Sequence, residues 1–191
     1  MPKNNEIRFS NFSEPSKIVI LLAKILPPGA SVIDFGAGQG RNALYLANKG
    51  FPVTAVERED SEVKILKRKN KKVQATINIV QADIHEFVPD RQYDAAISDM
   101  VLHFFSAKDV AKSIRSMKKA TKPGGFNVVT AYSDKNPPNK RPYLFKHHEL
   151  LERYKDWEIT KYEEKPTPWF VWPQGTKRRR NEAVYLLARN A

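Results

Sequence analysis

The residues best suited to chemistry in this 191-residue chain stand in one run, Val32-Ile33-Asp34-Phe35-Gly36-Ala37-Gly38-Gln39-Gly40. An apolar stretch ends in an acidic residue and then breaks into three glycines at alternate positions. Arg41-Asn42-Ala43-Leu44-Tyr45-Leu46-Ala47 follows, with Ala43, Leu46 and Ala47 at helical spacing. Strand, glycine turn and helix in that order suit a ligand that the backbone approaches closely, because only a residue without a Cβ permits that approach. Each such glycine costs about 0.5–1 kcal/mol of conformational entropy, which an ordinary turn has no reason to incur three times.

The spacing narrows the ligand. A dinucleotide fingerprint reads G-x-G-x-x-G and rests a pyrophosphate on the helix N-terminus. Here the third glycine, Gly40, comes one residue early, and Arg41 stands where the dinucleotide pattern wants glycine. No G-x-x-x-x-G-K-[ST] phosphate loop occurs, so ATP hydrolysis has no support. Asp34 would repel a pyrophosphate and suits a cationic ligand instead. Glu57, with Arg58 beside it, closes the next strand 17 positions after Gly40, a spacing from which a carboxylate can accept hydrogen bonds from ribose hydroxyls. Asp83 follows Val80-Gln81-Ala82 and can face a ligand or cap the short turn after it. Asp99-Met100-Val101-Leu102-His103 follows the fourth strand. Within that apolar run His103 reads equally as a general base and as a satisfied structural histidine.

The elements that must position these residues alternate. A first helix covers Ile18 to Leu26, capped near Ser13 with Pro15 in its first turn. Strands are expected at Ser31–Phe35, Pro52–Glu57, Ile77–Gln81, Tyr93–Ser98, Phe126–Tyr132, Trp157–Tyr162 and Glu182–Ala188, the third and fourth of them buried. Helices are expected at Gly40–Asn48, from Asp60 as cap to about Arg68, at Ala107–Ala120 and at Lys146–Tyr154. Lys122-Pro123-Gly124-Gly125 reads as a turn and Ser133–Pro142 as a loop. Alternating strands and helices imply an α/β, doubly wound, mostly parallel sheet of seven strands. The hairpin-like link between the last two strands requires one strand to run antiparallel. Ligands of such sheets sit beyond the carboxyl ends of the strands, at the topological switch point.

Composition sets the outer limits. The length fits a single domain over residues 1–191, with residues 1–30 as an N-terminal helical cap. Absence of cysteine excludes disulfides, thiolate metal sites and a cysteine nucleophile, and no metal site is expected. The apolar stretch Ile18–Leu26 is too short to span a bilayer and lacks signal-peptide character, so cytoplasmic residence is the expectation. A net charge of +12, much of it in Lys64–Lys72 and Lys177–Arg180, favours anionic partners; a solvated helix end is the simpler account of the first cluster.

Asp-x-Gly-x-Gly-x-Gly resembles motif I of the class I S-adenosylmethionine-dependent methyltransferases, whose Rossmann-like sheet carries a reversed final strand. Gly40-Arg41-Asn42-Ala43-Leu44-Tyr45-Leu46-Ala47, Arg91-Gln92-Tyr93-Asp94 and Thr121–Asn127 further resemble the tellurite-resistance methyltransferases, as do Phe145-Lys146, Glu149-Leu150 and Leu187-Ala188-Arg189. The resemblance implies S-adenosylmethionine held by Asp34, Gly36, Ala37, Gly38, Gly40, Arg41, Asn42, Glu57, Arg58, Asp83, Ile84, Asp99 and Met100. Asp83 would contact the adenine amino group, the Ile84 amide and side chain the ring, and Asp99–Met100 the methionine part. It implies a small-molecule acceptor, with an oxyanion such as tellurite or selenite in view. Where the family has a His-Arg pair in its last hairpin this chain has Phe170-Val171, and Arg178 matches a further basic position. Arg178, with Lys140 or Arg141, could hold an anion. A hydroxyl or amine acceptor could use His103, His147 or Tyr143 as base. Trp169, Phe170 and Trp172 could pack on a flat acceptor or seal the core. The alternatives are an RNA methyltransferase using the basic clusters, and a catalytically silent cofactor-binding protein.

Overall fold

A computed structural model describes residues 14–72, 77–137, 141–167, 170–171 and 178–191, with backbone only at 170, 171, 178 and 179. Five α-helices, α1 (Lys17–Ile25), α2 (Arg41–Asn48), α3 (Asp60–Asn70), α4 (Ala107–Lys119) and α5 (Glu149–Arg153), and one 3₁₀ turn at Leu102–Phe104 are described. The strands are β1 (Val32–Phe35), β2 (Val53–Glu57), β3 (Ile77–Gln81), β4 (Tyr93–Asp99), β5 (Thr121–Tyr132), β6 (Glu158–Pro166), β7 (Phe170–Val171), β8 (Arg178–Arg179) and β9 (Glu182–Arg189).

Seven strands form one sheet in the order β3-β2-β1-β4-β5-β9-β6. β1 to β5 pair in parallel, and β9 runs antiparallel to both neighbours, β5 and β6. The chain winds outward from β1 to β3, then returns to β4 and winds the other way, so the switch point lies between β1 and β4. β1 is buried at all four positions and β2 at all but its last, as expected of strands covered on both faces. Ile33 and Phe35 enter the core under α4 and α5, whereas Val32 enters the core under α1 and α2. Strand alternation therefore directs Asp34 toward the α1–α2 face. Among the described residues no helix is long and apolar enough to cross a membrane.

Several boundaries differ from expectation, each for a local reason. Ser16, not Ser13, precedes α1, and its N–H is held by Asn42 Oδ1 at 3.0 Å; Ser13 lies outside the described residues. Asp60 opens α3 rather than capping it, Glu59 being the cap residue. β3 is the sheet edge, not a buried strand, with only Ile77 fully covered. Lys122–Gly125 belongs to β5 as an irregular excursion: pairing leaves Tyr93↔Thr121 and resumes at Ala95↔Phe126. Gly124 N–H donates to Asn190 O at 2.6 Å and Asn190 N–H to Gly125 O at 2.8 Å, which stitches the excursion to the chain after β9. α5 starts only at Glu149, because His148 sits at φ +57° and breaks the helical path.

Candidate active site

Gly36, Gly38 and Gly40 all adopt left-handed conformations, at φ +80°, +53° and +83°. A Cβ on Gly36 would lie 2.6 Å from Val101 Cγ2, and one on Gly40 would lie 2.2 Å from Leu66 Cδ1. Those two glycines answer to the protein's own packing. A Cβ on Gly38 would meet only Glu62 Oε2, at 4.0 Å, and otherwise enter open space. The idea that all three glycines clear room for a ligand therefore narrows to Gly38.

That space is a crevice of ≈ 1410 Å³ at the carboxyl ends of β1, β2 and β4. Gly36, Ala37, Gly38, Arg41, Glu57 and Arg58 line it, and so do Asp83, Ile84, Asp99, Met100 and His103. Asp34, Gly40 and Asn42 stand behind the wall rather than in it.

The acids are held in distinct ways. Glu57 Oε2 accepts Gly38 N–H at 2.8 Å, while Oε1 accepts the N–H groups of Arg58 and Glu59 at 2.8 and 2.9 Å. It clamps the glycine turn, and with three of roughly four acceptor sites used it keeps one, on Oε2. Asp83 accepts Arg58 Nη1 at 3.1 Å and His85 N–H at 3.2 Å, so the turn-capping role coexists with its place in the crevice. Asp99 pairs with the Arg41 guanidinium, accepts Asn42 Nδ2 at 2.8 Å and accepts the Thr130 hydroxyl. Next to it Met100 takes φ +62°, unusual for a side-chain-bearing residue; its N–H donates to Thr130 O and Oγ1, both at 2.9 Å.

Asp34 is 1% exposed, and neither of its oxygens has a well-formed hydrogen bond. Burial first, then the neighbouring Asp99 carboxylate, push its pKa up to about 7 against the opposing pull of Arg41 and a weaker one from the Ala43 N–H. An unpaired buried carboxylate is unfavourable, and a cation seated above it would relieve the cost. An adenosyl sulfonium fits these groups: open space at Gly38, carboxylates at Glu57 and Asp83, and an unsatisfied anion behind the turn.

Another part of the crevice is a cluster of His103, Phe104, Tyr132 and Arg141, none of them an acid. Tyr132 N–H donates to His103 Nδ1 at 3.4 Å, which leaves the proton of the neutral ring on Nε2. Burial, and then the charge of Arg141, push the His103 pKa down to about 3, so the ring stays neutral near pH 7. A ring of that kind donates a hydrogen bond more readily than it takes a proton. The Arg141 guanidinium lies 4.2 Å from the Tyr132 ring centroid and 5.0 Å from that of Phe104.

Two other expected bases stand elsewhere. Tyr143 bonds Glu149 and Arg153, and His147 bonds Glu164, neither of them lining the crevice. For Arg178 only the backbone is described, paired with Val171, and the same limit applies to Phe170. Lys140, Trp169, Trp172 and Lys177 lie outside the described residues. Sequence reasoning missed Tyr132 and Phe104. Tyr132 ends a long buried strand and reads as core; its place at a carboxyl strand end was the available signal.

A reversed strand beside β5 and a crevice at the β1/β4 switch point define the Rossmann-like methyltransferase fold. Magnesium protoporphyrin IX methyltransferase from Synechocystis PCC 6803, solved with bound S-adenosylmethionine, shares that fold: TM-score 0.69 at 18% identity, over 91% of this chain and 76% of that one. The family model for tellurite resistance protein TehB matches residues 9–168, and the chain belongs to that family. A curated relative from Haemophilus influenzae, named "Probable S-adenosyl-L-methionine-dependent methyltransferase TehB", is 36% identical over 149 residues. That match takes in 76% of this chain but 52% of the relative, so the chain spans about half the relative's length. The crystal structure of TehB from Haemophilus influenzae superposes with a TM-score of 0.85 at 31% identity, over 92% of this chain and 62% of that chain.

Proposed function

We propose that this protein is an S-adenosylmethionine-dependent methyltransferase acting on a small anionic acceptor, with an oxyanion such as tellurite or selenite as the first substrates to try. The observation that carries the reading is the uneven lining of the crevice: Glu57, Glu59, Glu62, Asp83 and Asp99 outnumber Arg41, Arg58 and Lys69, while Arg141 lies beside the Tyr132 and Phe104 rings.

The donor, when bound, supplies an already activated methyl group, so the protein's part is alignment and exclusion of water. In this reading Glu57 and Asp83 would hold ribose and adenine, and the Ile84 amide and side chain would face the ring. Asp34 acts through its field on the donor's cationic end. Asp99, tied by Arg41, Asn42 and Thr130, keeps the floor in place. Positive charge on sulfur disappears during transfer, so a carboxylate in direct contact with sulfur would favour the ground state. Asp34 behind the turn avoids that contact. Arg141 is assigned to the acceptor's negative charge, and His103 donates to one of its oxygens. A deprotonated acceptor needs no general base.

Transfer of labelled methyl from S-adenosylmethionine to a panel of tellurite, selenite, thiolates, phenolates and RNA tests the reading. Methylation of a small anion supports it; methylation of RNA alone, or of nothing, contradicts it. Arg141→Ala is expected to raise the acceptor KM roughly tenfold, as for loss of one charge-assisted contact, with donor affinity unchanged by calorimetry.

A further inference from the structure

We propose that His147, His148 and Glu164 form a binding site for a divalent transition ion of the zinc, cobalt and nickel class. One ligand atom from each lies within 4.8 Å of the other two. The residues belong to two elements that the fold brings together, the turn entering α5 and strand β6. None of the three lines the crevice.

Two imidazoles and one carboxylate make a donor set for borderline-soft cations, whereas calcium and magnesium require mostly oxygen. The imidazole rings stack at 3.7 Å, and His147 Nδ1 lies 2.6 Å from Glu164 Oε2. His148 holds a left-handed φ of +57°, and its N–H donates to Glu164 Oε1 at 2.9 Å. Backbone strain thus falls on a residue whose side chain belongs to the cluster, and such strain collects at ligand clamps. The Tyr162 hydroxyl also bonds Glu164 Oε1, as an outer partner that orients a ligating carboxylate. The Glu164 side chain is 8% exposed while that of His147 is 61% exposed, so the rigid anion sits inside and the movable ligand outside.

An ion about 2.1 Å from each ligand separates tetrahedral ligand atoms by roughly 3.4 Å. The His147–Glu164 contact would open by less than about 1 Å, which an exposed side chain accommodates. A fourth position is left for water. Lys135 Nζ, 3.2 Å from Glu164 Oε2, is the competing cation; its side chain is 51% exposed and able to swing away. The remaining histidines offer no such meeting of imidazoles, since His85 bonds Asp83 and His103 is buried against Tyr132. Phe145, two residues before His147, donates its N–H to Tyr132 O at 3.0 Å. An ion would therefore staple the segment that runs from crevice residue Arg141 to His148 onto β6.

Titration of the full chain, free of any histidine tag, with Co²⁺ followed by visible absorption and displaced by Zn²⁺ tests the site. One equivalent should bind. His147→Ala and Glu164→Gln should each weaken it at least tenfold, Lys135→Ala should strengthen it severalfold, and His85→Ala should leave it unchanged. His147 is exposed, so its variant tests binding without threatening the fold. No uptake at about 1 mM ion, uptake indifferent to His147→Ala and Glu164→Gln, or uptake lost with His85→Ala would each overturn the proposal.

Discussion

Replacing Asp34 with asparagine is expected to stabilise the ligand-free protein at pH 8 and to weaken S-adenosylmethionine binding at the same pH. The folded carboxyl titrates at about 7, against 3.8 for the ordinary group. Below about pH 4 both states are protonated and the group contributes nothing. As pH rises from about 4 to 7 the unfolded chain gives up this proton while the folded chain keeps it, so stability falls, and above about 7 the full penalty is present. The gap between the two values corresponds to about 4 kcal/mol. Asparagine still buries two polar atoms, so the expected gain at pH 8 is about 1–3 kcal/mol. For a chain of this size that is a rise of roughly 5 °C in Tm. Thermal unfolding of both proteins at pH 4 and pH 8 checks it: a gain at pH 8 that shrinks toward pH 4 is the expected pattern.

Binding should move in the opposite direction. At an effective dielectric of about 20, an anion roughly 6 Å from a cation contributes on the order of 3 kcal/mol, so a loss of affinity of at least tenfold is expected. Because a bound cation favours the ionised carboxylate, wild-type affinity should increase as pH is raised through about 7, and the Asp34→Asn variant should lose that dependence. Calorimetry across this range reads both. Equal affinity and equal pH dependence in the two proteins would remove Asp34 from the account.

Gly38→Ala is expected to separate binding from folding. Its Cβ meets no protein atom closer than 4.0 Å, so the folding cost is limited to the left-handed φ, about 1–2 kcal/mol. Under the proposed function that methyl group enters the donor's seat, and overpacking there is expected to weaken donor binding by roughly tenfold or more. Gly40→Ala should invert the pattern. It adds overlap with fully buried Leu66 to the same strain, and should lower stability by about 2–5 kcal/mol before any effect on binding is read. Denaturant unfolding set beside calorimetry distinguishes the two. Equal stability losses in both variants would contradict the division of labour among these glycines.

What was legible in advance follows from how local each signal is. Motif I announces itself because strand, acid, glycines and helix are adjacent in the chain, and the apolar runs of β1, β2 and β4 mark buried parallel strands without further context. The placement of β3 at the edge depends on strand order, which periodicity does not encode. Lys122-Pro123-Gly124-Gly125 has turn composition, yet its hydrogen bonds go to Asn190, 66 residues beyond Gly124, and no local pattern reports that. The glycines looked alike in sequence and differ in space only because Val101 and Leu66 approach two of them. His147 and Glu164 stand 17 positions apart and meet through a turn and a strand, so no local pattern marks them as a pair.

Glycine-selective ¹⁵N labelling, followed through a titration with S-adenosylhomocysteine, tests the central claim most directly. The Gly36 and Gly38 amides should move strongly and saturably, Gly38 most of all because Glu57 holds its N–H beside the crevice. Gly29, Gly50 and Gly124, remote from the switch point, should stay in place. A still spectrum at saturating ligand, or movement confined to those remote glycines, would contradict a donor seat at the turn after β1.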